Sequence, residues 1–203
     1  MSKKSNKNEL KVILLGESGT GKTSLINVSV GIKFIDGIPS TLASSYVTKR
    51  FTKNNVEYSL DIWDTNGQEK YRSMTKLFIK KSKIVVYVYA TDSMKSFKEL
   101  DYWVKAAKDT LGDNVILGVA GNKTDLYLKE EVPEKDGQDF ANRIGAKFKL
   151  VSAKVDPNGF IAFLEELLEE YLRQNGIIVI NEKNNFKIKE EKNNKKNKKK
   201  SCC

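Results

Sequence analysis

The stretch Gly16-Glu17-Ser18-Gly19-Thr20-Gly21-Lys22-Thr23 constrains this chain more than any other. It fits the pattern G-x-x-x-x-G-K-[ST] and stands between a short apolar run, Leu10 to Leu15, and a helix-compatible stretch, Lys22 to Val30. A strand that ends in a glycine-rich turn and re-enters as a helix can turn successive backbone N–H groups inward around a polyphosphate. The helix adds the positive end of its dipole. Lys22 supplies a point charge for the β and γ oxygens, and the Thr23 hydroxyl is a ligand for Mg²⁺. Glu17, Ser18, Gly19, Thr20, Gly21 and Ser24 complete the candidate phosphate cradle. The bland alternative is a chance glycine-rich turn, and the flanking strand and helix argue against it.

The rest of the chain supplies a scaffold for such a turn. Tyr46 to Thr52 and Tyr58 to Trp63 read as strands joined at the turn signal Asn54-Asn55. Lys83 to Ala90 is rich in β-branched and aromatic residues, the mark of a buried strand. The spacing predicts a helix over 96–110, a strand over Val115 to Ala120, a helix over 136–144 and a strand over Lys147 to Val151. A last helix over 159–172 turns Phe160, Phe163, Leu164, Leu167, Leu168 and Tyr171 to one face. This alternation predicts an α/β fold: a mostly parallel six-stranded sheet with helices on both faces. Such sheets bind ligands at the C-terminal ends of their strands. Residues 1–8 read as a polar lead, 9–175 as one domain, and 176–203 as a disordered tail, Lys/Asn-rich from Asn181 onward.

Composition removes whole classes of chemistry. The chain has 203 residues, no histidine, and two cysteines, Cys202 and Cys203, both at its end. Triads and metal sites built on histidine are therefore excluded, and so is a disulfide framework within the body. Catalysis must come from carboxylates, Lys, Gln, backbone amides or a hard cation. The formal net charge of +10 is uneven: residues 181–203 hold nine Lys and three Glu, which leaves the body mildly basic. That balance is no argument for nucleic-acid binding. No apolar run approaches the roughly 20 residues of a membrane helix. Met1 to Lys7 is polar and basic with no apolar region behind it, so the expectation is a cytosolic chain without a signal peptide.

Three more motifs each follow a strand. In Trp63-Asp64-Thr65-Asn66-Gly67-Gln68-Glu69, Asp64 can hold a Mg²⁺-bound water, the Gly67 amide can approach a γ-phosphate, and Gln68 can orient an attacking water. In Asn122-Lys123-Thr124-Asp125, the Asp125 carboxylate can accept from N1–H and the exocyclic amine of guanine. Adenine offers no such donor pair, and an unpaired buried polar group rejects the wrong base strongly. Leu126 joins this base-binding set. In Ser152-Ala153-Lys154, the Ala153 amide could meet guanine O6. Each motif alone reads as an ordinary turn, and Asn-Lys-x-Asp is unremarkable in a Lys/Asn-rich chain. Their order, each at a strand's end, is not ordinary.

The four elements together resemble Ras-like GTPases over roughly residues 9–173. The resemblance implies a P-loop NTPase of the Ras-like G-domain kind that binds GTP and GDP with Mg²⁺ and hydrolyses GTP slowly. It implies roles by position: Thr41 as a Mg²⁺ ligand when γ-phosphate is present, acting with Gln68, Lys22 and Gly67, and Phe34 as the aromatic over the base. Within that superfamily the chain is most similar to Rab proteins, in Lys70-Tyr71-Arg72-Ser73-Met74-Thr75 after WDTNGQE, and in Val88-Tyr89 with Ser96-Phe97. Tyr46, Trp63 and Phe78 fall where Rabs carry an aromatic triad read by effectors, with core packing as the plain alternative. Cys202-Cys203 matches the Rab pattern for double geranylgeranylation, and two lipids anchor stably where one does not. The Lys195 to Lys200 run adds attraction to an anionic leaflet. The implied partners are an exchange factor, a GTPase-activating protein, effectors of the GTP state, and a membrane through the prenylated tail. No specific nucleic acid is implied. The expectation is a monomer cycling from the cytoplasm to the cytoplasmic face of an intracellular membrane in vesicle traffic.

The chain also departs from that pattern. Asn66 stands where the family usually has Ala, Ala43 where Rabs have Gly, and Ala90 where most carry Asp. These departures mark a divergent member. They keep two alternatives open: a GTP-loaded scaffold with little hydrolysis, and a Ras-superfamily switch outside the Rab branch.

Overall fold

A computed structural model describes residues 8–38, 45–65, 77–112 and 114–177 of the chain. Its strands are β1 (Glu9–Leu15), β2 (Ser45–Lys53), β3 (Val56–Asp64), β4 (Ile84–Ala90), β5 (Ile116–Asn122) and β6 (Lys147–Leu150). They form one sheet in the order β2-β3-β1-β4-β5-β6. Only the β2–β3 hairpin is antiparallel; every other neighbouring pair is parallel. The hairpin turns on Asn54 and Asn55, both left-handed at φ 52° and 59°, a conformation Asn tolerates better than most residues. The chain leaves β1 toward one side of the sheet and later returns beside it as β4. The reversal opens a crevice at the C-terminal end of β1, where such sheets bind ligands.

The helices are α1 (Lys22–Ser29), α2 (Met94–Lys98), α3 (Leu100–Leu111), α4 (Glu134–Ile144) and α5 (Pro157–Gln174), with a 3₁₀ turn over Thr124–Lys129. They cover both faces of the sheet, as central strands apolar on both faces require. Val12 and Leu14 of β1 join Leu25 of α1 and Phe163 of α5 in one cluster. Ile13 and Leu15 point the other way, to Trp103 of α3 and Phe140 of α4. All seven residues of β4 are buried, which is why this strand reads as a continuous apolar run and not an alternating one.

Some boundaries differ from the sequence reading. The expected 96–110 helix is split at Glu99. The Ser93 side chain caps the short first piece by accepting from Ser96 N at 3.2 Å, and Ser96 Oγ accepts from the Ala90 N–H of β4 at 3.0 Å. Ser96 thereby ties α2 to the C-terminal end of β4. β5 runs two residues past its expected end, so Asn122 belongs to the strand. α5 starts earlier than expected, with Pro157 in its first turn and Asp156 capping Gly159 N at 3.0 Å.

Candidate functional site

The C-terminal ends of β1, β5 and β6 and the residue after β3 open onto one cavity of about 350 Å³. At one end lies the glycine-rich turn. Gly21 takes a left-handed φ of 87°, and a Cβ there would stand 2.3 Å from Asn122 Nδ2, so glycine is required on both counts. α1 begins at the next residue with no side-chain cap, the kind of helix start whose positive end suits an anion. Lys22 is buried, and its Nζ donates to Gly16 O at 2.9 Å and Glu17 O at 2.8 Å. Burial pushes its amine down to about 8, against the pull of Asp64 and Glu17. The Thr20 hydroxyl turns inward to Glu17 O at 3.0 Å.

A hydroxyl–carboxylate pair stands beside this loop. Thr23 Oγ1 donates to Asp64 Oδ2 at 2.7 Å. Thr65 Oγ1 donates to Leu14 O at 2.6 Å and so ties the end of β3 to β1. A hydroxyl and a carboxylate oxygen are hard donors of the kind Mg²⁺ selects. They fill only part of an octahedron, which suits an ion that keeps waters and phosphate oxygens. The donor set fits Mg²⁺.

At the other end three loops are cross-linked. Asn122 is 2% exposed; its Nδ2 donates to Thr20 O at 2.9 Å and its Oδ1 accepts from Ala153 N at 3.2 Å. The Ser152 hydroxyl accepts from Lys154 N and Val155 N, each at 3.2 Å, and donates to Asp125 Oδ1, holding that carboxylate at the cavity wall. Lys123 is left-handed at φ 70°, and its carbonyl accepts from Thr91 Oγ1 at 3.2 Å. Phe34 packs on the α1/α5 core cluster and also lines the cavity, with Lys154 Nζ 5.7 Å from its ring centroid.

Of the residues singled out from sequence, Ser18, Gly19, Gly21, Lys22, Thr23, Ser24, Phe34, Asn122, Lys123, Asp125, Leu126, Ala153 and Lys154 line the cavity. Glu17, Thr20 and Ser152 are buried and serve the loops themselves. The Ala153 amide, expected to meet guanine O6, is engaged here by Asn122, so a bound base would share that donor. Thr41, Gly67, Gln68, Cys202 and Cys203 lie outside the described residues. The sequence reading missed Thr65, which sits beside Asp64, and the wall Ile35, Asp36, Gly37 and Ile38. The turn signal Asp36-Gly37, just past Phe34, could have pointed to that wall. Away from the cavity, Tyr46 stacks on Trp63 at 5.0 Å between centroids, and Trp63 meets Phe78 at 6.1 Å. Tyr46 is 55% exposed, so this cluster is surface as well as packing.

Comparison with known proteins agrees with this geometry. The sequence model of the Ras family matches residues 11–173. The human Ras-related protein Rab-31 is 36% identical over 195 residues, spanning 96% of this chain and 97% of that protein. The human Ras-related protein Rab-22A is 33% identical over 195 residues, spanning 96% and 98%. The Ras-related protein Rab-21 of Geodia cydonium is 38% identical over 165 residues, spanning 81% and 72%. A Ras-family match over residues 11–173 and Rab relatives aligned over most of the chain make this protein a divergent Rab-type member of the Ras family, a GTPase that binds GTP and GDP with Mg²⁺.

Proposed function

We propose that the chain is a switch in membrane traffic that cycles between GDP and GTP states. The observation that carries this reading is Asn122: one buried side chain bonds the phosphate loop and the 152–154 loop, so base and phosphate ends are built as one site. Lys22 and the first-turn amides of α1 meet the phosphates, while Asp125 and Phe34 meet the base. Thr23 would hold Mg²⁺ directly and Asp64 would hold it through a bound water, and the ion would offset charge on the phosphates. Gln68 orients the water for in-line attack, and Thr41 and Gly67 hold their loops only while γ-phosphate is present. With no arginine finger assigned within the chain, turnover stands at roughly 10⁻⁴ s⁻¹, and an activating partner adds several orders of magnitude.

Effectors dock at Tyr46, Trp63 and Phe78, an exchange factor reloads the site, and a prenylated Cys202-Cys203 tail holds the monomer on the cytoplasmic face of a membrane. The domain runs over residues 9–175. The relatives' names supply the Rab context, and no helix among the described residues is long and apolar enough to cross a membrane.

The test is a titration with fluorescent GDP and GTP, with and without Mg²⁺, competed by ATP. Tight, Mg²⁺-dependent binding indifferent to ATP is expected; displacement by ATP reduces the reading to a generic P-loop NTPase. Asn66 favours a second reading, a GTP-loaded scaffold, because a polar side chain there would sit close to the γ-phosphate. Single-turnover hydrolysis far below that of Asn66→Ala would support the scaffold.

A further inference from the structure

We propose that Asp36 and Lys154 form a clasp across the mouth of the cavity that slows nucleotide release. The inference rests on the guanine-site reading and assigns a role to Asp36, which that reading leaves unused. Lys154 Nζ lies 3.4 Å from Asp36 Oδ2, joining positions 118 residues apart. Both residues line the cavity, one from the segment after α1 and one from the loop after β6.

The two sides are held in different ways. Lys154 projects from a fixed loop: Ser152 Oγ accepts from its N–H and from that of Val155, and Asp156 N bonds back to Ser152 O at 2.9 Å. Asp36 belongs to the wall after α1, where Phe34 is the core anchor and Gly37, at φ 72°, turns the chain. Between those two points Ile35 is 59% exposed, so its side chain ties the wall down little. The ion pair therefore joins a loosely held wall to a rigid one. The Lys154 ammonium also rests over the Phe34 ring, so one side chain engages both the anchor and the carboxylate. A base seated between Phe34 and Asp125 has to pass this pair to leave.

The size of the effect follows from exposure. The two side chains are 48% and 78% exposed, so the pair is weak and screened by salt. It retards release by a modest factor, about two- to five-fold. An exchange factor that draws the 34–38 wall aside breaks it early.

The experiment is release of fluorescent GDP from the Mg²⁺-loaded full chain, chased with unlabelled GDP at low and high salt. Asp36→Asn should release about two- to five-fold faster at low salt, with the difference shrinking at high salt. Asp36→Glu should hold near the wild-type rate, and Glu57→Gln, on the β2–β3 hairpin, should leave it unchanged. In a Lys154→Gln background, which also weakens base binding, Asp36→Asn should add nothing, because its partner is already gone. An unchanged rate in Asp36→Asn, or full additivity with Lys154→Gln, overturns the clasp while the guanine site stands. A wild-type chain that retains no GDP overturns the site and the clasp together.

Discussion

Lys22 brings the chemistry of the site and the stability of the fold into conflict within one side chain. Its amine is buried in a loop that offers two carbonyls, and burial holds it at about 8 against an ordinary 10.5. At neutral pH the nucleotide-free chain keeps this charge at a cost of about 3 kcal/mol, which a bound polyphosphate would offset. The sign follows from proton counts. Between about pH 8 and 10.5 the unfolded chain binds a proton at Lys22 that the folded chain has lost, so stability rises with pH across that window. Relative to Lys22→Met, the nucleotide-free wild type should gain up to about 3 kcal/mol from pH ~7.5 to pH ~10.5, measured by urea unfolding at each pH. Asn122 works in the opposite sense, because its two bonds satisfy Thr20 O and Ala153 N in a dry place. Asn122→Ala strands both groups and should cost about 2–4 kcal/mol, with loss of GDP affinity, read by unfolding and titration on the same sample.

At the scale of elements, the packing of α4 on the sheet reverses a general preference. Gly137 lies inside α4, where alanine normally gains up to about 1 kcal/mol. Here a Cβ would stand 2.3 Å from the Tyr89 hydroxyl and 2.7 Å from the Phe148 ring. Tyr89 of β4 and Phe148 of β6 are packed into the same core cluster, with little room to yield. Gly137→Ala should therefore destabilise the chain by about 1–3 kcal/mol, the cost of overpacking. Thermal unfolding compared with Gly145→Ala would separate the causes. Gly145 meets no atom within 4 Å but takes a left-handed φ of 70°, so its penalty is strain alone. The split between α2 and α3 lies beside another such tie, the bond from Ala90 N at the end of β4 to Ser96 Oγ.

Across the whole molecule, the cavity is a place where segments distant in sequence meet. The turn after β1, the 34–38 wall and the loops after β5 and β6 all line it. A ligand that binds only the folded chain stabilises it by mass action, by about 2.7 kcal/mol at a hundred times its Kd. Mg²⁺·GDP should accordingly raise the thermal midpoint clearly, and EDTA should reverse most of the rise by removing Mg²⁺. Calorimetry of the full chain checks this, with Lys22→Met as the variant that shows no shift. Deleting residues 178–203 should leave both the midpoint and the shift unchanged, since the core closes at Leu172 and Ile177.

Much of this was legible in the residues themselves. The four loop motifs announce themselves because the turn chemistry is local: glycines for close approach, a lysine and a hydroxyl for phosphate and metal, an aspartate for the base. The strand runs were legible because burial on both faces leaves little but β-branched and aromatic residues. Tertiary structure decided what local pattern cannot encode. It placed Asn122 between two loops, bent the 94–111 segment at Glu99, put Gly137 against Tyr89, and set Asp36 opposite Lys154. Each depends on the meeting of segments far apart in the chain, and their spacing in sequence carries no trace of that distance in space.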